Sequence, residues 1–195
     1  MTGLVPLISF ALVSSVTPGP NNLLLWASGV QFGYRATLRH VLGTSVGLGS
    51  MALAVAAGMG TLVTAIPVLQ LGLKAVGSAY LLYLAYQIAA SHVTQPAEVT
   101  RPLLFRQAVF LQYVNPKAWV FALAAMTTFR PPEIPIVIGS LLVATTMMLV
   151  IVPTASVWVA GGNAIAGFLT GRRAHRAVSV VLALLLVASI AGIWA

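Results

Sequence analysis

Thr17-Pro18-Gly19-Pro20-Asn21-Asn22 and Asn115-Pro116-Lys117 each lie near the middle of a long apolar segment, and the two segments occupy matching places in the two halves of the chain. Proline has no N–H and clashes with the carbonyl four residues back, and Gly19 between two prolines admits backbone angles that other residues avoid, so the chain is expected to unwind around Thr17 to Pro20. In hydrocarbon every backbone polar group needs an internal partner. A helix is therefore interrupted at membrane depth only where protein or a water-filled cavity satisfies the freed groups, which is how secondary transporters build binding sites. The breaks point to a buried polar cavity.

A helix restarting after Pro20 presents free N–H groups and the positive end of its dipole near mid-membrane, where it can hold a carboxylate. Asn115 before Pro116 reads as an N-cap with proline in the first helical position. Asn21 and Asn22 add amide donors and acceptors suited to a small zwitterion. The bland alternative is a pair of ordinary proline kinks, with the asparagines repairing lost hydrogen bonds.

Composition sets the solvent. The 195 residues are 59% hydrophobic and 6% charged, with mean hydropathy +1.00, against about 25% charged residues in a soluble domain. This is the composition of an all-α integral membrane protein forming a single transmembrane domain over 1–195. A span needs roughly 20 apolar residues, and six candidates lie at about 4 to 30, 41 to 66, 71 to 90, 104 to 129, 134 to 160 and 175 to 195. The first 34 residues carry no charge, so the basic region of a cleavable signal is missing and the first span is expected to be retained.

The positive net charge of +8 sorts by loop rather than forming a nucleic-acid surface. Arg35, Arg39, Arg101, Arg106, Arg172, Arg173 and Arg176 follow odd-numbered spans, whereas Lys74 and Arg130 lie at the opposite ends. The positive-inside tendency then places odd-numbered loops in the cytoplasm and both termini outside. A re-entrant first segment is the alternative, and would leave the N-terminus inside. With three spans per half, any duplication is an inverted repeat, with halves of about 1–92 and 103–195 and with helices 1 and 4 broken. A shift of 98 residues brings Pro18 onto Pro116.

Lys117 falls midway along the fourth span, where a cation costs about 2.5–3.5 kcal/mol on insertion scales. Aspartate is absent, and Glu98 and Glu133 fall in loops. Lys117 must use backbone carbonyls, water or a substrate carboxylate, unless it snorkels from a helix that enters the membrane later. Gly43, Gly47, Ser50, Ala54 and Gly58 share one face of the second span and read as a close-packing seam. Tyr80, Tyr83 and Gln87 share a face of the third, either lining the cavity or serving packing and the interfacial belt. Pro153 is expected to kink the fifth span, and His40, next to Arg39, reads as a loop-edge residue, with a proton carrier as the alternative. There is no cysteine, and the sparse acids and histidines give no metal site, no catalytic constellation and no cofactor motif.

Five stretches together resemble the LysE/RhtB family of bacterial amino-acid exporters over essentially the whole chain. They are Thr17 to Asn22; Gly33-Tyr34-Arg35 leading to Gly43 and Gly47; Gly77-Ser78-Ala79-Tyr80-Leu81 with Leu84; Asn115-Pro116-Lys117; and the closing run Val180 to Leu186. The resemblance implies a multi-pass six-helix protein of the bacterial inner membrane that exports amino acids or related metabolites against protons. It also implies that Pro18 to Asn22 and Asn115 to Lys117 form the core of translocation. Within that family the Pro-Gly-Pro-Asn-Asn run, the Gln112 to Lys117 stretch and the leucine-rich last helix are nearest to the cysteine and O-acetylserine exporter branch. Family members exporting basic amino acids commonly carry intramembrane acids. None is present here, which favours neutral substrates and leaves the proton-carrying group unassigned. A passive small-solute channel and a non-transporting assembly protein are the competing readings, and the surplus of small residues is compatible with a homodimer.

Overall fold

The computed structural model describes residues 3–90, 102–169 and 171–194. Glu98 and Arg101 lie outside them. Among the described residues the regular structure is entirely helical: α1 (Leu4–Val16), α2 (Pro20–Ala54), a π-helical turn (Val55–Met59), α3 (Gly60–Ala65), α4 (Pro67–Ala90), α5 (Phe105–Val114), α6 (Pro116–Phe129), α7 (Ile136–Ala166) and α8 (Arg172–Trp194). Among the described residues four stretches are long and apolar enough to cross a membrane: Pro20–Ala65, Pro67–Ala90, Ile136–Ala166 and Arg173–Trp194. Large apolar side chains stand on the outside, with Val68 78% and Val5 75% exposed, as expected where the surrounding solvent is lipid.

The longest helix is not straight. Asn21 and Thr44 are 23 residues apart in sequence yet hydrogen-bonded at 3.2 Å, whereas a straight helix would hold them about 34 Å apart. The chain folds back at Gly33, whose φ of 78° and ψ of 174° are non-helical and whose left-handed φ suits glycine. α2 is thus two antiparallel arms, 20–32 and 34–54. This corrects the expectation of a loop between residues 30 and 41: one glycine makes the turn and helix resumes at once. His40 consequently sits well inside the second arm and is fully buried, not at a loop edge.

The most extensive interface joins α2 to α7. At its crossing the backbones touch: a Cβ on Gly29 would collide with the Val159 carbonyl, and one on Gly162 with that of Trp26. Close approach of this kind needs residues without side chains. Ser45 Oγ donates to Met148 O at 2.9 Å and Tyr34 Oη to Ser156 Oγ at 3.0 Å along the same seam. α5 lies against the second arm, α1 against α7, and α4 against α8, the last pair tied by Trp194 Nε1 donating to Ser78 Oγ at 3.0 Å. α7 runs helically through Pro153, where the Thr154 hydroxyl donates to Val150 O and Ile151 O.

Candidate functional site

The first break begins where α1 ends at Val16. Thr17 turns both its N–H and its hydroxyl back to Val13 O, at 3.1 and 2.6 Å. Gly19 is extended, at φ −173° and ψ 173°, and α2 restarts at Pro20 without a side-chain cap on its first amides. Asn22 reaches back across the gap, its Nδ2 donating to Ser15 O at 2.7 Å and Thr17 O at 2.9 Å. The second break is tighter. Asn115 alone is non-helical, at φ −97° and ψ 109°, and its side chain accepts from the Lys117 N–H at 3.2 Å, with Pro116 at the first helical position.

The two breaks meet. Lys117 Nζ donates to Thr17 O and to Pro18 O at 3.3 Å, so the lysine of the second half satisfies carbonyls freed in the first. Those carbonyls follow the C-terminal, partially negative end of α1, where a cation is favoured. Gly19 makes room for the arrangement, since a Cβ there would stand 2.9 Å from Lys117 Cδ. An ammonium has three donors, and two are used here.

Behind this bridge Asn21 Oδ1 forms a buried polar node. It accepts from Gln112 Nε2 at 3.1 Å and Thr44 Oγ1 at 3.2 Å, and lies 3.4 Å from His40 Nε2. Gly47 permits the approach, because a Cβ on it would stand 2.9 Å from Gln112 Cγ. Lys117, Asn21, Asn22, Gln112 and Asn115 line one open-sided cavity of about 440 Å³, with Leu48, Phe121 and Ile151 as apolar wall. Uncapped amides, an ammonium and converging amide side chains can hold a carboxylate and an amino group together. A second cavity shares Gly19, Asn115 and Lys117 and opens toward Ala188, Ser189 and Gly192 of α8.

Thr17, Pro18, Gly19, Pro20, Asn21, Asn22, Asn115, Pro116 and Lys117 are therefore brought together. Tyr80 is elsewhere, edge-on to Phe110 at 5.5 Å and stacked on Tyr83 at 6.4 Å, and is not among the residues lining either cavity. Gly43 and Gly47 face α5, where a Cβ on Gly43 would lie 2.5 Å from Phe105 O. Ser50 Oγ receives the Tyr113 hydroxyl at 3.0 Å on the same side, and Ala54 ends the arm. Gly58 departs from the seam: its φ is 102° inside the π turn, and the nearest atom to an added Cβ is 3.9 Å away. His40, Thr44 and Gln112 were not singled out as site residues from sequence. The available signal was polarity at helical spacing, with His40 and Thr44 four apart and Gln112 three before Asn115.

Residues 12–191 match the family described as LysE type translocator. The chain is 30% identical over 181 residues, 92% of its own length and 91% of theirs, to proteins named cysteine/O-acetylserine efflux protein from Escherichia coli strain K12 and Shigella sonnei. The same figures hold for the protein of that name from E. coli O6:H1. No solved structure matches the chain. A match over nearly the whole length, on a helical fold with apolar membrane-crossing stretches, means that the chain belongs to the LysE type translocator family and is a transporter of the bacterial inner membrane rather than an enzyme.

Proposed function

We propose that the protein is a secondary-active exporter of small neutral amino acids or related metabolites, moving them out of the cytoplasm in exchange for protons. The observation that carries this reading is the meeting of the two breaks, with Lys117 Nζ on the carbonyls of Thr17 and Pro18 beside a cavity lined by Asn21, Asn22 and Gln112. The uncapped start of α2 and the third donor of Lys117 take the substrate carboxylate. The Asn21 node takes its amino group. Cysteine and O-acetylserine, the solutes in the relatives' name, are the first candidates.

The architecture proposed is six spans in a 3+3 inverted repeat. The first span is α1 with the first arm of α2, the second is the other arm, and α5 with α6 makes the fourth. Exchange of the halves maps α1 onto α5, the second arm onto α7 and α4 onto α8, and it carries the second-arm·α5 contact onto the α7·α1 contact. That self-consistency supports the repeat. The bias of Arg35, Arg39, Arg101, Arg106, Arg172, Arg173 and Arg176 to positions after odd-numbered spans, against Lys74 and Arg130 at the other ends, supports odd loops in the cytoplasm and both termini outside. With no native cysteine, a thiol at position 69 should label from outside intact cells and one at position 103 should not; the reverse pattern rejects the orientation.

The function itself is tested in proteoliposomes with O-acetylserine and cysteine. An imposed pH gradient should drive accumulation above equilibrium, and the uncoupler should abolish it. Flux that only ever equilibrates the solute would make the protein a passive pore.

A further inference from the structure

We infer that His40 carries the coupling proton of the export cycle and competes with the substrate amino group for Asn21; this rests on the export reading above. His40 is fully buried on the second arm of α2, one turn before Thr44, and both face Asn21 Oδ1. That oxygen already accepts from Gln112 and Thr44, so the ring nitrogen directed at it, Nε2, is the one bearing hydrogen. Neutral imidazole then has a bare lone pair on Nδ1. Nδ1 is buried and has no hydrogen-bond partner among the described residues. A buried acceptor left open in this way is the geometry of a group awaiting a proton.

Other groups are badly placed for the task. Among the described residues the one carboxylate, Glu133, is exposed in the turn after α6. α1, α3, α7 and the π turn have no titratable side chain. On α5, Arg106 is exposed and the Tyr113 hydroxyl donates to Ser50. On α6, Lys117 is held by the carbonyls of Thr17 and Pro18. On α4, Lys74 lies over the Trp194 ring and Tyr80 packs on Phe110 and Tyr83, while Tyr83 and Tyr86 are exposed. On α8, Arg173 and Arg176 are exposed and His175 lies in the helix's first turn. On α2 itself Arg35 and Arg39 are exposed and Tyr34 is bonded to Ser156. Among the described residues a protonated His40 therefore has no buried counter-charge, and Asn21 Oδ1 is its support.

Asn21 lines the cavity, so its side-chain oxygen is the acceptor a substrate ammonium would meet. Nε2–H faces that oxygen whether or not Nδ1 is protonated, but imidazolium and ammonium are like charges and repel beside a single acceptor, so proton and substrate exclude one another, which is the requirement of antiport. Open to the outside, the Nδ1 lone pair forms a bond to a proton from external water and imidazolium replaces the departing amino acid. Open to the cytoplasm, that N–H bond breaks, its electrons return to Nδ1, and the proton passes to cytoplasmic water as the next substrate binds. One proton enters per substrate exported.

His40 does not itself line the cavity, and this separates coupling from binding. With O-acetylserine as probe in proteoliposomes, His40→Gln keeps an N–H for Asn21 but no titratable nitrogen. Counterflow at equal pH should survive within about tenfold, the scale of one neutral hydrogen bond, while accumulation driven by a pH gradient and substrate-evoked proton flux should fall to leak level. Wild-type gradient-driven accumulation in the variant overturns the assignment, and so does equal loss of counterflow and accumulation in well-folded protein. Absence of counterflow in the wild type would instead reject the export reading. Should the variant not reach the membrane, the wild-type protein labelled with 15N-histidine decides. The ring 15N shifts of His40 should respond to external pH and return toward the neutral pattern on adding O-acetylserine, and a ring insensitive to both pH and substrate overturns the proposal.

Discussion

The two helix breaks look alike in sequence and differ in construction. The first spends three residues, Thr17, Pro18 and Gly19, on the gap, restarts without a side-chain cap, and is bridged from behind by Asn22. The second spends one residue, and Asn115 caps the new helix itself. The first is therefore an open helix mouth with loose carbonyls, and the second is a closed joint that sends a cation across to it. One break receives and the other supplies.

The largest effect should come from removing what is supplied. Lys117→Met deletes charge-assisted hydrogen bonds of about 1.5–3 kcal/mol, so export at matched membrane abundance should fall roughly 10- to 150-fold. Lys117→Arg should rescue only partly, since a planar guanidinium cannot replace a compact ammonium beside Gly19. Wild-type export in both variants would dissolve the asymmetry. Next comes the bridge: Asn22→Ala leaves Ser15 O and Thr17 O short of a donor, costing about 1–3 kcal/mol. This should appear as lower thermal stability in detergent, whereas Asn21→Ala should lower transport per molecule more than stability. Equal profiles for the two asparagines would remove that division of labour.

Asn115→Ala should cost about 1 kcal/mol, the usual value of an N-cap, with Asp or Ser restoring most of it. A melting temperature indifferent to residue 115 would mean the joint is held by Pro116 alone. The smallest effect belongs to Gly19→Ala, because the atoms it meets are the flexible end of Lys117. Export should drop only a few-fold, under about 1 kcal/mol, and not at all in a Lys117→Met background, since contacting residues are non-additive. Additive losses would place the lysine stem elsewhere.

Much of this was legible because proline and glycine act locally. Pro20 and Pro116 start helices where their chemistry says they should, Asn115 caps as its type predicts, and the composition declares the membrane. What escaped was tertiary. The convergence of Gln112, Thr44 and His40 on Asn21 joins positions up to 91 residues apart, and no local pattern encodes it. The turn at Gly33-Tyr34-Arg35 was legible, but the helix running up to it and on from it was not, because a polar, arginine-bearing stretch reads as loop, although one left-handed glycine suffices to reverse a helix. Gly58 matched the small-residue spacing but serves a π turn, a distinction carried by backbone angles that spacing cannot report.

The backbone crossing at Gly29 and Gly162 has a mechanical consequence. With no side chain between the two helices, this is the point of least separation and hence the natural fulcrum for any tilt of the first arm against α7. Asn21 lies eight residues from Gly29, a lever of about 12 Å at helical rise, so a tilt of roughly 10° moves the Asn21 end by about 2 Å. That is enough to make or sever the hydrogen bonds converging there while the fulcrum itself stays still. A methyl group at either glycine would pry the axle apart, and the stroke at the far end would lose its fixed point.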